Sequence, residues 1–342
     1  MPYFATLATL SLYIGSKRGL LNKDAEIIGF KQGATAPLFL SVSIFGIYVL
    51  TKLEISFETF LNAYFFLLES LSGCFCIWAP FMALGRLAGE KELAQVDLSW
   101  IVEKEGGDPL PSDFSLKPSA VLTVGISVAL ACLDRFIIPG GEGWCINNIE
   151  ASFIVITWLE LLGVGSFRTA MALLFGLLVY DCFWVFGSGE VLAWVAKVYP
   201  GIASDRLLPT NGSVMADVAM SPIISAPTKF LFPRDGSTAA FKYSLLGLGD
   251  VLIPGLLIGL LLRFDVGKME KESGGGEYEY FKYAICAYVL GLLVSFGASL
   301  LSGKGQPALL YLVPLVSLSA IGVSLKRSEF RELLSFEWKS KK

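Results

Sequence analysis

Two aspartates stand inside apolar stretches of this chain. Asp181 follows the run 171–179 within Tyr180-Asp181-Cys182-Phe183-Trp184-Val185-Phe186, and Asp250 stands in Gly247-Leu248-Gly249-Asp250-Val251-Leu252-Ile253-Pro254. A carboxylate within a membrane helix costs roughly 2.5–3.5 kcal/mol on insertion scales, so each implies a use or a partner. Neither run carries a Lys or Arg near its acid. Two carboxyls held within a few ångströms cannot both ionise cheaply, so such a pair shares a proton and titrates as a unit. One carboxylate can then take a proton from water as the water attacks a carbonyl, while the other donates to the carbonyl oxygen. That is aspartic peptidase chemistry. The same two acids would also suit a proton-coupled transporter or an ion leak pathway, and the acids alone leave both readings open.

The neighbouring residues bear on this choice. Gly247 and Gly249 remove side chains on either side of Leu248, so backbone or water can come close. Pro254 has no N–H, which leaves the carbonyl of Asp250 without its helical partner. A third motif, Gln306-Pro307-Ala308-Leu309-Leu310-Tyr311-Leu312-Val313-Pro314, has Pro307 at an expected helix start and Pro314 freeing the carbonyl of Leu310. Free backbone groups there offer a wall on which an extended peptide could add as a strand. Glu160 is expected to serve a helix end or a polar network. Asp134, Arg135, Arg263 and Asp265 fall at span ends and read as interface charges.

Composition sets the frame that must hold these acids. The chain has 342 residues, 54% hydrophobic and only 17% charged, where a soluble domain carries about 25% charged. Its net charge of −3 suggests no nucleic-acid partner. Histidine is absent, which removes Ser-His-Asp and Cys-His chemistry, His-ligated zinc and His relays. The six cysteines (Cys74, Cys76, Cys132, Cys145, Cys182 and Cys286) form no CxxC pair and read as small apolar filler, so no metal and no disulfide framework is expected.

The fold class expected is an all-α polytopic membrane protein with nine transmembrane helices, each near the roughly 20 residues a bilayer needs. The runs are 3–14, 37–50, 57–84, 120–133, 145–162, 168–188, a stretch ending at 262, 281–301 and 306–325. They make one membrane domain over 1–338, with five spans in 1–166 and four in 167–326. A polar loop lies at 85–117, a luminal insert at 189–241 and a cytosolic tail at 327–342. Nineteen basic residues on one set of loops against eight on the other put the N-terminus in the lumen and the C-terminus in the cytosol. The insert then carries a glycosylation candidate, Asn211, in Asn211-Gly212-Ser213. Asp181 is expected about 10 Å and Asp250 about 14 Å from the luminal ends of antiparallel helices, so the two can meet at one level.

Tyr180-Asp181, Gly247-Leu248-Gly249-Asp250 and Pro307-Ala308-Leu309 together resemble the three motifs of the GxGD intramembrane aspartyl proteases, on spans six, seven and nine. Phe183-Trp184-Val185-Phe186, Val251-Leu252-Ile253-Pro254-Gly255 and Pro227-Thr228-Lys229-Phe230-Leu231-Phe232-Pro233 make the chain similar to the signal peptide peptidase branch rather than to presenilin. The resemblance implies a presenilin/signal peptide peptidase-like fold in the endoplasmic reticulum membrane, with Asp181 and Asp250 catalytic. It implies hydrolysis within type II transmembrane segments and remnant signal peptides, with neither metal nor organic cofactor. Tyr180, Gly247, Leu248, Gly249, Gln306, Pro307, Ala308 and Leu309 are the implied substrate-binding residues. The partners expected are transmembrane helices and the lipid bilayer, and self-association of the chain is left open.

Overall fold

The computed structural model describes residues 2–22, 24–53, 58–89, 91, 94–97, 113–138, 143–199, 208–210, 212–220, 227–233, 243–271, 277–302 and 306–338. The elements in order are α1 (Pro2–Leu21), β1 (Glu26–Ile28), α2 (Phe30–Lys52), α3 (Glu58–Leu87), β2 (Ala94–Asp97), β3 (Asp113–Leu116), α4 (Pro118–Cys132), α5 (Trp144–Leu161), β4 (Leu162–Val164) and α6 (Phe167–Cys182). They continue with α7 (Ser188–Val198), α8 (Val214–Met220), β5 (Lys229–Pro233), β6 (Tyr243–Gly247), α9 (Gly249–Lys271), α10 (Glu279–Ser302), α11 (Leu309–Lys326) and α12 (Phe330–Ser335). The strands form three two-stranded sheets: β1 with β4 (parallel), and the antiparallel pairs β2–β3 and β5–β6. The protein is therefore mostly helical rather than all-α.

Among the described residues, six helical segments are long and apolar enough to cross a membrane: Phe30–Lys52, Thr59–Leu87, Pro118–Ile137, Phe167–Val198, Glu279–Ser302 and Leu309–Lys326. The expectation of a multi-span membrane protein is met, with six such spans rather than the nine expected. The helices α1, α5 and α9 are not among the six, and their polar residues show why. Lys17 and Arg18 lie in α1; Asn147, Asn148, Glu150 and Glu160 lie in α5; and α9 carries Asp250, Arg263 and Asp265. These three helices pack on one another, so protein rather than lipid surrounds much of their length. Leu159 of α5 fills the space that Gly15 of α1 and Gly255 of α9 leave. A Cβ at Gly15 would come within 2.8 Å of the Leu159 Cβ, and one at Gly255 within 2.9 Å of its Cδ2.

Two expected boundaries move. The helix expected over 168–188 does not stop there: after α6 comes a π-helical turn, Phe183–Gly187, and then α7, so the first part of the expected insert is helical. A π turn adds a residue without breaking the helix and often marks a functional site. Trp184 in this turn donates its indole N–H to Ser41 Oγ at 3.1 Å, fastening it to α2. The second aspartate helix starts later than expected, at Gly249, because 243–247 pairs as a strand with β5. A strand at membrane depth is tolerable only where its backbone groups find protein partners, and the hairpin supplies them.

The charges read as interface groups prove to be buried. Arg135 lies in a π turn, Leu133–Ile137, and pairs with Glu69 of α3 at 2.5 Å, with side chains only 3% and 0% exposed. Asp134 is buried beside them, as is Glu150 of α5, whose carboxylate has no hydrogen-bond partner among the described residues. Arg263 donates to the carbonyl of Gly19 at 2.9 Å and stacks on the Trp338 ring, 3.7 Å from its centroid. Asp265 accepts from the backbone N–H groups of Tyr280 and Phe281, capping the open donors at the start of α10. Glu160 takes the network role expected of it, pairing with Arg18 at 2.6 Å. All six cysteines are free and lie in helices.

The tail returns to the bundle. Trp338 N–H donates to the carbonyl of Gly165 at 2.8 Å, and Glu337 bridges Ser166, the N-cap of α6. Beside it, β1 pairs with β4, so the base of α6 is tied to the loop after α1, to α9 and to the tail.

Candidate active site

Asp181 projects from the last turn of α6 and is 8% exposed. Its carboxylate accepts a hydrogen bond from the backbone N–H of Leu309, and its Oδ2 has no partner among the described residues. Leu309 begins α11, so this donor is one of the unpaired N–H groups at a helix N-terminus, where negative charge is favoured. The Pro307-Ala308-Leu309 motif therefore reaches the site through its backbone. Pro307 and Ala308 are buried behind it, and the Pro307 and Ala308 carbonyls accept from Leu310 and Leu312 to start the helix.

Asp250 is the second residue of α9 and partly exposed. Its carboxylate accepts from the backbone N–H of Gly247 and lies close enough to Asp181 for one charge to bear on the other. The helix α9 packs on both α6 and α11, which fixes the two acids and the Leu309 donor in one place. A Cβ on Gly247 would stand 3.3 Å from Asp250 Oδ2, closer than most side chains come, so glycine there gives the carboxylate its room. Leu248 is buried, and its N–H donates to the Thr228 carbonyl at 3.0 Å. Tyr180 is half-buried, packs against Trp184 with ring centroids 6.4 Å apart, and feels the Asp181 charge.

Gln306 is placed differently. Its amide donates to Ser302 Oγ at 3.1 Å and accepts from Tyr311 at 3.5 Å, and among the described residues it makes no hydrogen bond to either acid. Asn211 lies outside the described residues. Among the described residues, no group of three or more His, Cys, Asp or Glu is arranged to hold a metal ion.

The sequence reading missed the β5–β6 hairpin that leads into Asp250. Phe230 pairs with Leu246 and Phe232 with Ser244. An antiparallel ladder alternates, and Leu231 spends its N–H and carbonyl on Asn148 of α5, so the inward-bonding residues of β6 are Leu246 and Ser244. The N–H and carbonyl of Leu245 and the carbonyl of Gly247 then point away from β5. That edge has no backbone partner among the described residues, and it ends beside Asp250. The runs Lys229-Phe230-Leu231-Phe232-Pro233 and Tyr243-Ser244-Leu245-Leu246-Gly247 held the signal: short, bounded by proline or glycine, and rich in aromatic residues.

Similarity to known proteins extends over most of the chain. The family profile described as "Signal peptide peptidase" matches residues 21–340. Signal peptide peptidase of Homo sapiens is 29% identical over 344 aligned positions, covering 97% of this chain and 81% of that protein. Intramembrane protease 2 of Caenorhabditis elegans is 31% identical over 261 positions, covering 73% of this chain and 49% of that protein. Signal peptide peptidase-like 1 of Oryza sativa subsp. japonica is 30% identical over 247 positions, covering 66% and 65%. Two acids on neighbouring helices, a helix N-terminus on one and a glycine-bounded strand on the other, stand in a chain that belongs to the signal peptide peptidase family of intramembrane aspartic proteases.

Proposed function

We propose that Asp181 and Asp250 are the catalytic pair with which this intramembrane protease hydrolyses peptide bonds inside type II transmembrane segments and remnant signal peptides. The observation that carries the reading is the mutual proximity of these two carboxyls, each held by a backbone N–H. One carboxylate accepts a proton as water attacks the scissile carbonyl carbon, and the other, protonated, donates to the carbonyl oxygen. The tetrahedral intermediate then collapses. Its C–N bond breaks as the amine takes a proton from the acid that first accepted one, while a hydroxyl of the intermediate returns its proton to the other carboxylate as the C=O re-forms, so the carboxylic product leaves with the pair again sharing one proton. A helical substrate hides its amides, so the cleaved segment must unwind. The free edge of β6 offers it a replacement set of backbone partners next to Asp250.

Nine spans are part of this reading, with α1, α5 and α9 completing the six apolar ones. So are a luminal N-terminus, a cytosolic tail and residence in the endoplasmic reticulum membrane; the excess of basic residues on one set of loops supports that orientation. The comparisons give no support to a transporter or ion leak pathway. The test is cleavage of a synthetic type II membrane peptide by the purified protein in detergent. Wild type should release two fragments, and Asp181→Asn and Asp250→Asn should each release none. Cleavage that survives either substitution overturns the assignment.

A further inference from the structure

The hairpin β5–β6 has two outer edges, and α5 closes one of them with side chains. Asn148 donates its amide N–H to the carbonyl of Leu231 at 2.8 Å, and its Oδ1 accepts the Leu231 N–H at 2.8 Å. A carboxamide that takes both backbone groups of one residue does what a neighbouring strand would do. Asn147 adds a bond from its amide to the carbonyl of Lys229 at 2.9 Å, on the same edge two residues away. Both asparagines are buried, at 6% and 2% exposure, and they touch each other at 3.3 Å. Buried amides in a membrane helix are costly unless satisfied, and these are satisfied by the hairpin and by each other.

The consequence reaches the reacting atoms in two steps. Leu231 stands opposite Leu245 and Lys229 opposite Gly247, so pinning β5 also sets β6 along its length. The strand β6 runs into Gly247, whose N–H holds Asp250, and its outer edge is the one left for an extended peptide. We infer that Asn148, with Asn147, is a positioning residue: it fixes the register of the hairpin against α5 and so sets which substrate bond lies over the acid pair. This rests on the protease reading above. A one-residue slip of an added strand moves it about 3.3 Å and turns every side chain to the other face. A loosened hairpin therefore yields cleavage spread over neighbouring bonds, which loss of packing by itself does not.

The experiment compares the full-length wild type with Asn148→Leu, Asn148→Asp and Asn147→Leu on one synthetic type II membrane peptide. The readings are kcat, KM, fragment masses, thermal midpoint and affinity for a short hydroxyethylene inhibitor that engages the acid pair. For Asn148→Leu the expected kcat falls about tenfold, short of the roughly 100-fold that a 1 Å misplacement costs. Fragments should appear from bonds one and two residues away, with inhibitor affinity within about threefold of wild type, in keeping with an intact pair. Asn148→Asp keeps the acceptor for Leu231 N–H and should fall between the two, and Asn147→Leu should show the same change more weakly. Asn148→Leu cutting only the wild-type bond at the wild-type rate overturns the inference. So does loss of cleavage, inhibitor binding and thermal stability together, which marks a purely structural role. If wild type itself cuts nothing, the protease reading fails instead.

Discussion

Replacing Arg135 with Met tests whether a buried charge pair is held only by its partner. Arg135 reaches Glu69 through Nη2 at 2.5 Å and Nε at 3.0 Å, and its Nη1 donates to Asn62 at 3.2 Å. The guanidinium is the cation in a pocket that also holds Asp134 and the unpartnered Glu150. Methionine fills similar space without charge, so Arg135→Met leaves Glu69 buried and unpaired next to two further acids. Breaking one side of such a pair costs about 3–5 kcal/mol, whereas replacing both sides with apolar groups is often close to neutral. At about 2 °C per kcal/mol, the single variant should melt roughly 6–10 °C below wild type. The double variant Glu69→Leu/Arg135→Met should recover at least half of that loss. The assay is thermal unfolding of purified protein in detergent, followed by near-ultraviolet circular dichroism. A single variant that melts within 2 °C of wild type, or a double variant less stable than the single, refutes the reasoning.

Gly247→Ala would place a Cβ 3.3 Å from Asp250 Oδ2, so the carboxylate must give way by a few tenths of an ångström. With about 100-fold lost per ångström of misplacement, kcat should fall about three- to tenfold with KM little changed; turnover of a reporter peptide checks this. Glycine or serine placed near the scissile bond of a substrate should speed its cleavage, because unwinding then costs less, and uninterrupted leucine helices cut equally fast would count against it. Trp338→Ala removes the ring stacked on Arg263 and should lower the thermal midpoint by about 2 °C, matching a cation–π contact of about 1 kcal/mol, while Trp338→Phe should keep more than half of it.

The acid pair was legible because a carboxylate in an apolar run is costly enough to announce itself. The same argument applied to Glu69 and Glu150, which also sit in apolar runs. Their role escaped notice because Arg135, the partner of Glu69, stands at the end of a different span and reads as an interface charge. The depth of Asp250 was misread for another reason. A short stretch such as Tyr243-Ser244-Leu245-Leu246 before a glycine looks alike whether it extends a helix or forms a strand, and only pairing with β5 decides between them. The backbone role of Leu309 could not be read from its side chain, since any residue but proline supplies an N–H. The π turn after Asp181 leaves no mark in hydropathy, as both it and a regular helix are apolar there.

The knot at the base of α6 has a mechanical consequence. Gly165, Ser166, Arg263 and Trp338 bind the roots of α6 and α9 and the tail into one block. A pair of rods clamped at their feet can part only at their tips. From Phe167 to Asp181 the lever is about 21 Å long. A lean of about 3° about that clamp then carries the aspartate sideways by about 1 Å, a misplacement of the size that costs a catalytic group about 100-fold in rate. A small tilt at the root of α6 is thereby magnified at the carboxyl it carries.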